Sequence, residues 1–154
     1  MKYSFDASAI IQGWRRFYPP NVFPALWGKA EALIDQGTIR ATEEVLVELE
    51  RKDDEIHEWA LEHKDMFVPI DDKIQDVVRD VLKDHRRLLD TRKGRSGADP
   101  FVIALAVVRG CAVVTLEGKS RSPDKKPNIP DVCEVLGVPC LSLLQMIEQE
   151  QWVF

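Results

Sequence analysis

Short apolar runs recur along this chain, and a segment with helical periodicity separates each from the next. "KYSFD" (2–6), "TIRA" (38–41), "MFVPI" (66–70), "CAVVTLE" (111–117) and "VPCLS" (138–142) read as strands. The first helix is "ASAIIQGWRRFY" (7–18), stopped by Pro19-Pro20. Asn21 caps "VFPALWGKAEALIDQ" (22–36), where Phe23, Leu26, Trp27, Ala30, Leu33 and Ile34 keep the spacing of a buried stripe, and Gly37 closes it. Thr42 caps "EEVLVELERK" (43–52), "DDEIHEWALEHKD" (53–65) follows, and Asp71 opens "DKIQDVVRDVLKDHRRLLD" (72–90). Beyond the loop "TRKGRSG", a helix runs from Pro100 to about Arg109 and ends at Gly110. "IPDVCEVLG" (129–137) and "LLQMIEQEQ" (143–151) complete the helices. Strands joined through helices at this spacing predict an α/β fold, a doubly wound parallel sheet of about five strands flanked by helices.

A chain of 154 residues buries a real core without staples, and one domain over residues 1–154 is expected. Its apolar and charged fractions, 45% and 31%, are those of an ordinary soluble protein. No apolar run nears the roughly 18 residues of a membrane span. Asp6 interrupts any signal-like apolar start. Three cysteines, Cys111, Cys133 and Cys140, without CxxC spacing read as reduced thiols at or near the core of a cytoplasmic protein. The net charge of −5 argues against holding nucleic acid by bulk electrostatics. Two basic runs depart from that balance. Arg86, Arg87, Arg92, Lys93 and Arg95 precede Asp99, while Lys119, Arg121, Lys125 and Lys126 follow Glu117.

Ligands of open parallel sheets bind beyond the carboxyl ends of the strands. Asp6 and Glu117 terminate two strands there, and Asp99, directly before Pro100, opens the helix feeding the second. Glu48 flanks the apolar stripe of Val45, Leu46 and Leu49, with Glu44 one turn earlier on the same face. Each acid alone has a plain structural reading: Asp6 and Glu117 as turn formers, Glu48 as a solvated position, Asp99 as an N-cap. Together they need a counter-charge, since an unpaired buried carboxylate costs several kcal/mol or is driven neutral. Hard carboxylate oxygens suit Mg²⁺ or Mn²⁺. His57, His63 and His85 fit no zinc-ligand spacing and read as surface residues.

Asp6-Ala7-Ser8 after the first strand, Glu48 in "EVLVELER", Asp99 in "GADPFVIALA", and Thr115 and Glu117 in "VVTLE" follow one another along the whole chain. In that order the sequence resembles the PIN-domain nucleases, among them the VapC-like toxin ribonucleases of bacterial toxin–antitoxin pairs. "FPALW" and the closing "NIPDVCEVLGVPCLSLLQMI" look like a PIN-related family of largely uncharacterised prokaryotic proteins. The departure is Glu117 where many PIN domains carry aspartate, a longer arm that shifts any metal it holds.

The resemblance implies a metal-dependent endoribonuclease, the toxin of a type II pair, in which Asp6, Glu48, Asp99 and Glu117 hold one or two Mg²⁺ or Mn²⁺ ions. Ser8, Thr115 and Glu44 would support those ligands. Arg92, Lys93, Arg95, Lys119 and Arg121 would meet RNA phosphates at the rim. A cognate antitoxin and a homodimer are the implied protein partners. Trp14, Phe17, Tyr18 and Trp27 would then be either core or interface. Other readings are a PIN-fold RNA- or protein-binding module without activity, and a purely structural domain. An aspartyl-phosphate phosphatase would want a second aspartate two positions after Asp6, where Ser8 stands.

Overall fold

Five strands pair into one wholly parallel sheet in the order β3-β2-β1-β4-β5. They are β1 (Tyr3–Phe5), β2 (Ile39–Thr42), β3 (Phe67–Val68), β4 (Ala112–Val114) and β5 (Cys140–Leu141). The computed structural model describes residues 1–86, 97–120 and 127–154. Eight α-helices among these flank the sheet: α1 (Ala7–Gln12), α2 (Pro24–Asp35), α3 (Glu43–Lys52), α4 (Asp54–Glu62), α5 (Asp72–Asp84), α6 (Asp99–Arg109), α7 (Ile129–Leu136) and α8 (Leu143–Gln149). The doubly wound α/β architecture expected from the sequence is the one found. From β1 the chain winds outward through β2 to β3, then returns to the other side of β1 with β4. Strand order therefore reverses between β1 and β4, and a doubly wound sheet opens its crevice at such a point.

Several local expectations are corrected. Asn21 does not cap α2, because Pro19 O accepts from both Val22 N–H and Phe23 N–H and holds a turn there; α2 begins at Pro24. Thr42 stands at the N-cap of α3 but its side chain accepts no capping bond, and its buried hydroxyl has no partner among the described residues. Asp99 is the first residue of α6, not its cap: Ala98, already helical in its dihedrals, holds that position. The fourth strand stops at Val114, so Thr115 to Glu117 run beyond the sheet. Helix α5 ends at Asp84, short of the expected Asp90; residues 87–90 lie outside the described residues. His57, His63 and His85 are half-buried, and His63 packs on Trp59 with its ring centroid 5.1 Å away.

Periodicity was right where a stripe met a neighbour. Asp53 and Asp71 cap α4 and α5, accepting from Ile56 N–H and Ile74 N–H. Gly37 and Gly110 take the left-handed conformation that ends α2 and α6. Trp14, Trp27 and Trp59 converge from three helical segments, with ring centroids 5.0 to 5.7 Å apart. Each indole N–H is bonded, to Glu55, Tyr18 O and Glu31 respectively. Trp14, Tyr18 and Trp27 thus belong to the core, whereas Phe17 is exposed.

A short π-helix, Gly13–Phe17, continues α1 toward this cluster. A Cβ on Gly13 would come 2.9 Å from Leu143 Cδ2 and 3.6 Å from the Trp27 ring. Gly13→Ala gains helix propensity and moves only the tip of Leu143, so it should be near neutral. Gly13→Val drives further methyls into the Trp27 ring and should lose about 1–3 kcal/mol, read from urea midpoints of the two variants.

Helix α6 carries the fold's densest burial. Val102, Ile103, Ala104 and Leu105 are fully buried, since α6 packs on β1, β2 and β4 and is covered by α5. Ser4 of β1 donates its hydroxyl proton to Val102 O at 2.8 Å, pinning the helix to the central strand. The tip of α6 is thereby fixed at the carboxyl edge of the sheet.

Candidate functional site

Asp6 follows β1 directly, and its N–H donates to Val114 O of β4 at 2.9 Å, tying the two strands flanking the switch point. Its side chain is buried. Ser8 Oγ and Thr115 Oγ1 both donate to Asp6 Oδ2, at 2.6 and 2.8 Å. With both hydroxyl protons spent on the carboxylate, the 3.1 Å contact between the two oxygens has no proton of its own. Each hydroxyl also accepts a backbone N–H, Ser8 Oγ from Leu116 and Thr115 Oγ1 from Glu117. The segment after β4 is therefore stitched to Asp6 through these two side chains, which explains why it leaves the sheet at Thr115.

Glu117 is half-buried, and its Oε2 accepts from Ile129 N–H, the first residue of α7, at 3.1 Å. Glu48 lies on the buried side of α3. Its Oε1 accepts from Lys52 Nζ at 2.6 Å, one turn on, while its buried Oε2 has no hydrogen-bond partner among the described residues. Burial raises the Asp6 carboxyl from its ordinary value of 3.8 to about 6; the charge of Glu117 adds to this, the Ser8 and Thr115 hydroxyls oppose it, and Glu48 contributes least. Asp99 is buried at the first position of α6, at the same edge of the sheet.

The structure thus brings Glu117 and Glu48 within electrostatic reach of Asp6, with Ser8 and Thr115 bonded to its carboxylate. Glu44 is half-buried on α3. Lys119 is exposed and paired with Glu134 at 2.9 Å. Arg92, Lys93, Arg95 and Arg121, with Arg87, Lys125 and Lys126, lie outside the described residues.

The donors suit a hard divalent cation in kind: buried carboxylates, one orphaned carboxylate oxygen, and a carboxyl whose charge is disfavoured where it stands. They are not gathered into a cage. Among the described residues no three His, Cys, Asp or Glu side chains stand close enough together to hold an ion. Lys52 engages one oxygen of Glu48, and the α7 N-terminus engages one of Glu117.

Residues 3–154 match a protein family described as a domain of unknown function, DUF4411. The chain belongs to that family. No curated protein matches it. The DUF4411 match takes in β1 through α8, so the switch-point acids all lie within the family's own domain. Among the described residues of this DUF4411 domain, no helix is long and apolar enough to cross a membrane.

Two elements of the DUF4411 site were missed by sequence reading. Lys52 sits one helical turn after Glu48, a spacing that signals an ion pair, but the sequence reading set the glutamate against the apolar stripe and not against the lysine. The second is an open cavity of about 470 Å³ beside Glu117, lined also by Thr115, Lys119, Cys140, Ser142 and Gln145. Its walls come from the segment after β4, from α7 and from β5 with the start of α8, and the packing of these neighbouring elements assembles them.

Proposed function

We propose that the protein is a Mg²⁺- or Mn²⁺-dependent endoribonuclease with a PIN-like fold, the toxin of a toxin–antitoxin pair. One observation carries the reading. A buried aspartate at the switch point has the negative charges of Glu117 and Glu48 acting on it, and Glu48 keeps an unpartnered buried oxygen. Carboxylates are assembled at such cost where a cation is to be bound.

A bound Mg²⁺ or Mn²⁺ supplies Lewis acidity and a water of lowered pKa for attack on a phosphodiester. Asp6, Glu48, Asp99 and Glu117 are the residues that would hold it. Ser8 and Thr115 fix the Asp6 carboxylate by occupying Oδ2, which leaves Oδ1 as the oxygen to offer. Lys52 neutralises Glu48 in the metal-free chain and is half-exposed, so it can swing out and meet phosphate. RNA phosphates would be met at the rim by Arg92, Lys93, Arg95, Lys119 and Arg121. An antitoxin or a second copy of the chain is the protein partner of this reading.

The decisive experiment is RNA cleavage by purified protein with Mn²⁺ or Mg²⁺ and with chelator. Cleavage that needs the cation and disappears in Asp6→Asn and Asp99→Asn supports the reading, whereas cleavage persisting in both variants overturns it. The absence of a gathered cage among the described residues favours one alternative, an inactive PIN-fold module that binds RNA or protein. Such a module gains no thermal stability from millimolar Mn²⁺.

Lys52→Met separates the roles of the lysine. Losing a half-exposed partner within one helix should lower metal-free stability by about 0.5 kcal/mol. Removing the competing ammonium should at the same time enlarge the melting-temperature gain on adding Mn²⁺. A gain equal to that of the unaltered chain would show that Lys52 does not compete with the cation.

A further inference from the structure

Cys133 on α7 and Cys140 on β5 meet across the turn that joins the two elements. Gly137 reverses the chain in the left-handed conformation, and Val138 N–H donates to Cys133 O at 2.9 Å, so the turn folds Cys140 back onto the helix. The two thiols act on each other, so that the Cys133 proton is held more tightly and the Cys140 thiolate is favoured. Their exposures differ in a useful way: Cys133 is fully buried, while Cys140 is half-buried and lines the open cavity beside Glu117. The remaining thiol, Cys111, is buried just before β4.

We propose that Cys133 and Cys140 are an oxidative modification site, closing to a reversible disulfide when a small peroxide enters the cavity. In the first step the Cys140 sulfur attacks one peroxide oxygen and the O–O bond breaks. The departing oxygen leaves as water and Cys140 becomes a sulfenic acid. In the second step the Cys133 sulfur attacks that sulfenic sulfur, the S–O bond breaks, and a second water leaves with the Cys133 proton. Two thiols have lost two electrons and two protons, and one peroxide has become two waters.

The arrangement assigns the order of events. Hydrogen bonding from Cys133 favours the Cys140 thiolate, ahead of the opposing effects of burial and of the Asp6 and Glu117 charges. The same bond, with burial, holds Cys133 protonated until Cys140 is oxidised. Cys140 is the thiol a solute can reach, and Cys133 is the resolving thiol one helical turn behind Ile129. The disulfide ties α7 to β5, and α7 carries the N–H that holds Glu117. The inference stands whether or not a cation binds there.

The test treats the full chain with hydrogen peroxide in the presence of a chelator, then maps peptides without reduction. Two of the three thiols should disappear, the intact mass should fall by two hydrogens, and one peptide pair should link Cys133 to Cys140 within a monomer. Dithiothreitol should restore all three thiols. Cys140→Ser should abolish the link, and Cys133→Ala should leave a sulfenic acid at Cys140 that dimedone traps. Cys111→Ser should leave the yield of the link unchanged. A map of the unaltered chain without the Cys133–Cys140 link, or with Cys111 linked as often, overturns the proposal without recourse to any variant.

Discussion

Asp6→Asn is expected to make the metal-free protein more stable at pH 7.5 while removing the cation-dependent activity proposed for it. In the folded chain the Asp6 carboxyl titrates at about 6, against 3.8 ordinarily. A folded-state pKa raised above the unfolded value means that the native state binds the proton more tightly. Its contribution to stability is therefore full below about pH 3.8 and is lost as the pH rises through about 6. Above that, the ionised group opposes folding by at most about 3 kcal/mol. An asparagine keeps an oxygen for the Ser8 and Thr115 hydroxyls and carries no charge to bury. In chelator, its melting temperature should exceed that of the unaltered chain at pH 7.5, and the two should converge near pH 4. Adding Mn²⁺ at pH 7.5 should raise the melting temperature of the unaltered chain and leave the variant where it was. RNA cleavage should fall by at least about 100-fold. A variant that melts lower at pH 7.5 and gains as much from Mn²⁺ would show that Asp6 is a strand-end turn residue and nothing more.

Trp27→Ala should be the most damaging substitution away from the site, losing about 3–5 kcal/mol. Its ring edges onto both Trp14 and Trp59, and its indole N–H bonds Tyr18 O at 2.7 Å. The truncation opens a cavity where α2, α4 and the π-helix meet, and takes from the partly buried Tyr18 carbonyl its indole donor. That loss is a large share of the roughly 5–15 kcal/mol that domains possess. Urea unfolding followed by tryptophan emission measures it. A loss below about 1 kcal/mol would mean that the three indoles pack as a loose surface cluster.

The sequence was legible where structure is set by local contacts, and less so where contacts are distant. The alternation of runs announced the parallel sheet, because only helices of that length can carry the chain back between parallel strands. Asp71, Gly37 and Gly110 announced their helix ends, because these caps depend on the neighbouring backbone. Asp99 looked like a cap by the same local rule, but the turn before it places Ala98 there. The reach of "CAVVTLE" was overestimated because Thr115 bonds Asp6, 109 residues away. Glu48 was singled out from the stripe it flanks, and its burial bears that out. What no local pattern contained was the α7 N-terminus on Glu117, whereas Lys52 on Glu48 stood at a spacing that signals an ion pair and went unread. The histidines read as surface residues because half-burial against Trp59 or an adjoining helix leaves no periodic mark.

The burial of α6 has a consequence for motion. A helix wrapped by strands on one side and by α5 on another can release its amides to solvent only when the domain itself opens. Deuterium should therefore enter Val102 to Ala106 at the rate set by global unfolding, more slowly than it enters the exposed faces of α4 or α8. Asp99 rides at the end of that rod. Its carboxylate is held in place by the same free energy that holds the fold together, so it keeps its position until the domain itself unfolds.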